Sequence, residues 1–144
     1  MIRDYEEKDW TEFRKLIMEQ WDERYTYDAV EYNLLDPYCY SDDYLVDKDN
    51  YKCFVAEDED GLCGFILVSY GKTSLNLEYV YVTQRKRRQG LSLKLMKHIE
   101  TYGRFVGKKE IKMWSLVQND RSHEMKKKLG YTYEMYSYTA RKKL

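Results

Sequence analysis

The residues from Leu75 to Val117 constrain this chain most, because they read as strand, basic turn, helix and strand in direct succession. Leu75, Leu77, Tyr79 and Tyr81 alternate with Asn76, Glu78, Val80 and Val82, a period-two pattern rich in β-formers. Leu91, Leu95, Met96, Ile99, Tyr102 and Val106 then recur at three and four residues, and Gly107 is a stop signal. Glu110 to Val117 returns to a strand pattern. Such a unit is a crossover, which favours parallel neighbours within one sheet.

The turn between strand and helix is Arg85-Lys86-Arg87-Arg88-Gln89-Gly90. A helix N-terminus offers unpaired N–H groups and the positive end of the helix dipole, a ready site for phosphate. Gly90 lacks a Cβ, so the backbone there can approach a ligand closely or take a positive φ. Arg85, Lys86, Arg87 and Arg88 supply charge that can reach phosphate oxygens. The same run also reads as a solvated loop or a nucleic-acid patch. Against the last stands a formal net charge of +0, which leaves no broad basic field.

Arg87-Arg88-Gln89-Gly90-Leu91-Ser92 resembles the acetyl-CoA-binding signature of the GNAT N-acetyltransferase superfamily, Arg/Gln-x-x-Gly-x-Gly/Ala. Arg87 and Gly90 match, and Ser92 stands where glycine or alanine is usual. A second stretch, Asn119 to Tyr131, resembles the family's Asn-x-x-Ala…Tyr-x-Lys-x-Gly-Phe segment, with matches at Asn119, Lys128, Gly130 and Tyr131. Ser122 replaces the alanine, and Lys126 occupies the position of the general-acid tyrosine.

The resemblance implies an α+β sandwich whose mixed central sheet is flanked by helices and splays between its two central parallel strands. It implies that the pantetheine arm of acetyl-CoA pairs with main-chain groups of Val80 and Val82. Arg87, Arg88, Gln89, Gly90, Leu91 and Ser92 would then hold the pyrophosphate, and Asn119 would contact the cofactor through its side chain. It further implies direct attack by an amine on the thioester, with backbone N–H near Val82 facing the developing oxyanion. Glu78 is the acid on the central strand, read as sharing a face with Val80 and Val82. It is the candidate base if partly buried, and otherwise a salt-bridge or surface carboxylate.

The rest of the chain fits one domain over residues 1–144. Ile2 to Tyr5 starts a sheet, and Trp10, Phe13, Leu16, Ile17 and Trp21 give a packing helix capped near Asp9 or Thr11. Periodicity fades from Tyr25 to Tyr51, where a helix over about Asp28 to Leu35 is followed by a loop. Its acids and tyrosines read either as a solvated loop or as a wall attracting a cationic amine. Tyr51–Ala56 and Cys63–Tyr70 are strands joined at Asp60-Gly61, and Tyr133 to Ala140 is the last strand.

Cys39, Cys53 and Cys63 leave an odd count without metal-ligand spacing, which suits the cytoplasm. No stretch reads as a signal or a membrane span. His98 and His123 read as packing or surface residues, and Tyr131, Tyr133, Tyr136 and Tyr138 are alternative proton donors.

Three functions follow. The first is N-acetyl transfer from acetyl-CoA to a small-molecule or protein amine, without metal or membrane, by a monomer or homodimer. The second is a catalytically weak acyl-CoA-binding domain, motivated by Lys126. The third is an RNA- or protein-binding module using Arg85 to Arg88 and the terminal Arg141-Lys142-Lys143.

Overall fold

The computed structural model describes residues 1–27, 45, 47–114, 124, 127–133 and 139–144. The elements are β1 (Ile2–Asp4), α1 (Trp10–Tyr27), β2 (Tyr51–Asp58), β3 (Gly61–Tyr70), β4 (Ser74–Val82), α2 (Leu91–Phe105), β5 (Glu110–Trp114), β6 (Thr132–Tyr133) and β7 (Thr139–Lys143). The strands form one seven-stranded sheet in the order β1-β2-β3-β4-β5-β7-β6. Among the described strands only the β4–β5 pair is parallel, as the crossover through α2 requires. The class is α+β with a mixed sheet. The expected helix over Asp28 to Leu35 and the acidic, tyrosine-rich loop lie outside the described residues, apart from Leu45 and positions 47–50.

β3 explains the layering. Its run Phe65-Ile66-Leu67-Val68 is buried throughout, because both faces of the sheet are covered. Phe65 and Leu67 meet Phe13, Leu16 and Ile17 of α1 on one side. Ile66 and Val68 meet Leu95, Met96 and Ile99 of α2 on the other. Ahead of α1, Glu6 and Asp9 form a capping box, and the Asp9 carboxylate also takes two bonds from Arg3, at 2.7 and 2.8 Å. Arg3 bridges on to Glu57 at 2.8 Å and so ties β1 to the end of β2. These contacts hold the Asp9 carboxyl below its usual range, chiefly through the Arg3 hydrogen bonds. Among the described residues, no helix is long and apolar enough to cross a membrane.

Two expectations are corrected. The chain's end is not one strand from Tyr133 to Ala140: β6 and β7 form an antiparallel pair, and β7 runs on to Lys143. Ala140 of β7 is fully buried opposite Met113, so the basic terminus is an interior strand of the sheet rather than a free tail. Lys142 bonds the buried Glu100 of α2 at 2.9 Å, which removes it from a nucleic-acid patch.

The second correction concerns β4, whose alternation is broken by a β-bulge. Leu67 pairs with Tyr79 and Val68 with Leu77, leaving Glu78 as the extra residue. Leu77, Val80 and Val82 therefore pack toward α2, while Tyr79 and Tyr81 pack toward α1.

Candidate active site

Three features converge at one end of the sheet: the far half of β4, where no described residue pairs beyond Leu77 on the β5 side, the turn after it and the N-terminus of α2. The β4–β5 ladder runs from Ser74↔Glu110 to Leu77↔Met113, and β4 continues beyond it to Val82 with β3 alone as its described partner. Thr83 N donates to Cys63 O at 3.0 Å, so the main-chain groups of Thr83 point toward β3. Successive residues of a strand point their N–H and C=O groups to opposite edges. Those of Val82 and Val80 therefore face the other edge, the β5 side, where the described ladder stops at Leu77↔Met113. Arg87 Nε donates to Val82 O at 3.0 Å, in keeping with that direction.

The turn then twists to meet the helix. Gln84–Lys86 is a 3-10 turn, Arg88 takes φ 62, and Gly90 takes φ 76 with ψ 14 directly before α2. Left-handed residues in a turn swing neighbouring N–H groups toward one concavity, a shape suited to anions. The first bond of the helix is Lys94 N to Gly90 O at 3.0 Å, so the N–H groups of Leu91, Ser92 and Leu93 have no acceptor within α2. Gly90 brings no side-chain cap, and a Cβ built there would meet nothing within 4 Å. These backbone donors lie at the positive end of the helix dipole, with no Cβ at Gly90 to crowd them. This is the geometric fit for a phosphate group.

The four basic side chains do not act alike. Arg85 and Lys86, expected to reach phosphate, turn instead to the β2–β3 hairpin. Arg85 Nη1 and Lys86 Nζ each meet Asp58 Oδ2 at 2.9 Å, and Arg85 Nη1 lies 3.7 Å from Asp60. The Asp58 carboxyl is held well below the usual carboxylate range, first by the Arg85 hydrogen bond and then by Lys86. Arg87 lies over the Tyr81 ring, 5.5 Å from its centroid, while Arg88 and Gln89 are exposed beside Gly90. The basic run is thereby divided, which removes the contiguous patch that a nucleic-acid reading needs.

Glu78 is exposed rather than partly buried, because the bulge turns it out of the alternation. Its Oε1 accepts from Ser69 Oγ at 2.6 Å. Ser69 follows Leu67 on the α1 side of β3, so Glu78 lies on the face of Tyr79 and Tyr81, not with Val80 and Val82. It remains exposed on the bulge of β4, reachable from solvent.

Asn119, Ser122, His123, Lys126, Tyr136 and Tyr138 lie outside the described residues. Tyr131 is set apart from the turn: it packs near Glu100, ten positions past Gly90, which is roughly 15 Å along the helix. Burial, with the Glu100 charge, pushes its phenol far up. His98 packs edge-on against Phe54 with centroids 4.5 Å apart, and burial pushes its pKa down. Ser69, Asp58, Glu19 and Thr83 complete the surroundings and were not singled out by sequence. The acids Glu57 to Asp60 facing a basic run were the one available signal for Asp58.

A family model described as the acetyltransferase (GNAT) family matches residues 9–131. No curated protein sequence matches the chain at a significant level. Among solved structures, the chain resembles the PaiA N-acetyltransferase of Thermoplasma acidophilum in complex with coenzyme A. That match has TM-score 0.84 and 16% identity, covering 100% of this chain and 98% of that one. The Escherichia coli ribosomal-protein-S18-alanine N-acetyltransferase aligns at TM-score 0.75 and 13% identity, over 98% and 88% of the two chains. An acetyltransferase from Vibrio fischeri aligns at TM-score 0.64 and 24% identity, over 78% and 93%.

Proposed function

The chain belongs to the GNAT acetyltransferase family, and from that premise we propose that it transfers the acetyl group of acetyl-CoA to a primary amine by direct attack, in the cytoplasm. The observation that carries this reading is the end of β4 running straight into the left-handed turn at Gly90, with the main-chain groups of Val80 and Val82 turned away from β3 and no described strand paired with them. An extended amide-bearing arm fits the edge at Val80 and Val82. A pyrophosphate fits the concavity of Arg87, Arg88, Gln89, Gly90, Leu91 and Ser92. Asn119 is the position assigned a further cofactor contact by the sequence motif. An amine acceptor is supported by two relatives named as N-acetyltransferases, one of them bound to coenzyme A.

The chemistry requires a neutral amine nitrogen to form a bond to the thioester carbonyl carbon as the carbon–sulfur bond breaks, with coenzyme A leaving as its thiolate and taking up a proton. Backbone N–H near Val82 supplies a donor for the carbonyl oxygen as charge develops, worth about 3 kcal/mol for one well-placed group. Glu78 takes the amine proton, directly or through water, from its exposed place beside the edge. Ser69 holds one of its carboxylate oxygens. Glu78→Gln is expected to lower turnover by about a hundredfold, in the range of general-base effects, with little change in acetyl-CoA affinity. Unaltered turnover in that variant across the pH range would remove Glu78 as base.

The test of the whole reading is a thermal melt with and without acetyl-CoA. Ligand at about a hundred times its dissociation constant stabilises the fold by roughly 2.7 kcal/mol, which moves the midpoint of a chain this size by several degrees. The shift should be absent with adenine nucleotides that lack the pantetheine arm. No shift with acetyl-CoA would withdraw the proposal.

A further inference from the structure

We propose that Asp58 and Glu19 are positioning residues for the cofactor turn, gripping residues 83–86 from two separate elements so that phosphate binding falls to the segment that follows. This inference rests on the function proposed above. On the hairpin side, the Asp58 carboxylate is itself fixed by Asp60 N, which donates to Oδ1 at 2.9 Å. It then accepts from Arg85 at 2.9 and 3.3 Å and pairs with Lys86 at 2.9 Å. On the helix side, the Glu19 carboxylate of α1 accepts from Thr83 Oγ1 at 2.8 and 3.1 Å, and Gln84 N approaches the same group at 3.5 Å. Thr83 is buried, so this contact sits at the last fixed point of β4 before the chain turns.

A single exposed ion pair contributes little, because water and salt screen it. One carboxylate fixed by its own hairpin and shared by two cations is a network, and both cations belong to one helical turn of three residues. Binding to a turn already held in shape avoids the entropy of ordering it. The grip also settles charge. With Arg85 and Lys86 directed to Asp58 and Asp60, the attraction for phosphate shifts to Arg88 and the amides around Gly90.

The rival role for Arg85 and Lys86 is direct contact with a phosphate, and the two roles predict opposite behaviour when Asp58 is neutralised. Acetyl-CoA binding to the full chain is measured by calorimetry for Asp58→Asn, Arg85→Gln and the double variant. Positioning predicts that each single change weakens binding by about threefold to tenfold, and that the double variant is no worse than either. Asp58→Glu, which keeps the charge, should recover most of the affinity.

Direct contact predicts that Arg85→Gln weakens binding while Asp58→Asn leaves it unchanged or tightens it, and that result overturns the role of Asp58. Glu19→Ala should weaken binding independently, since it acts through Thr83; unchanged affinity there overturns the role of Glu19. If the wild-type chain itself fails to bind acetyl-CoA, the acetyltransferase reading falls and this inference with it. Wild-type binding with unaffected variants overturns the positioning alone.

Discussion

Replacing Gly90 with glutamate should lower acetyl-CoA affinity by at least about a hundredfold while leaving a folded chain. Gly90 stands at φ 76 with open space where a side chain would project, so the substitution meets no packed neighbour. What it costs the fold is the left-handed backbone, about 1–2 kcal/mol for a residue with a Cβ, or a midpoint lower by a few degrees. What it costs binding is larger. The new carboxylate stands at the positive end of α2, where it competes for the unpaired N–H groups of Leu91 to Leu93 and repels phosphate. Gly90→Asn separates the two effects, because asparagine tolerates this backbone and adds no charge. It should bind far better than the glutamate variant. Tight acetyl-CoA binding by Gly90→Glu, measured by calorimetry, would refute the assignment of phosphate to this turn.

The parts of the fold that sequence displays are those where a local pattern has one reading. The α2 crossover is of this kind: six apolar residues at helical spacing lie between a glycine at the turn and a glycine past the end, and both glycines take positive φ. The bulge at Glu78 is not. In Leu75-Asn76-Leu77-Glu78-Tyr79-Val80-Tyr81-Val82 nearly every position is apolar, and both faces of β4 are covered. A slip of one residue therefore leaves acceptable side chains on each face, and alternation cannot reveal it.

Long-range pairings are hidden for a different reason. Asp58 and Arg85 stand 27 positions apart, and Glu19 and Thr83 stand 64 apart. The acids of residues 57–60 offer a charge match to the basic run but no register, and nothing near Glu19 points to Thr83, so a basic run reads much the same whether it faces solvent, phosphate or a hairpin. The Arg141-Lys142-Lys143 terminus misleads likewise: its charge resembles a tail, yet Ala140 beside it is fully buried and anchors β7 against β5. Charge at the surface of a strand does not exclude that strand from the sheet.

Phe13→Ala should have the largest effect on stability, with a loss of about 3–5 kcal/mol. The Phe13 ring is 1% exposed and lies 4.7 Å from the Phe65 ring, 5.2 Å from Tyr5 and 6.5 Å from Trp10. It is where α1 seats on β3, and the close-packed interior around it relaxes only partly to refill the space. A loss of that size is a large share of the roughly 5–15 kcal/mol that holds a domain together, and it should lower the midpoint by about 10 °C.

Saturating acetyl-CoA restores only about 2.7 kcal/mol at a hundredfold excess over its dissociation constant, so the ligand-bound variant should still melt below the free wild type. The two substitutions thus separate along independent axes. Gly90→Glu removes the ligand-induced shift with a small change in the free midpoint, whereas Phe13→Ala lowers the free midpoint and keeps the shift. A Phe13→Ala chain that melts with the wild type would mean that α1 is not seated on the sheet through this ring. It would also weaken the case that Glu19, carried on the same helix, steadies the turn.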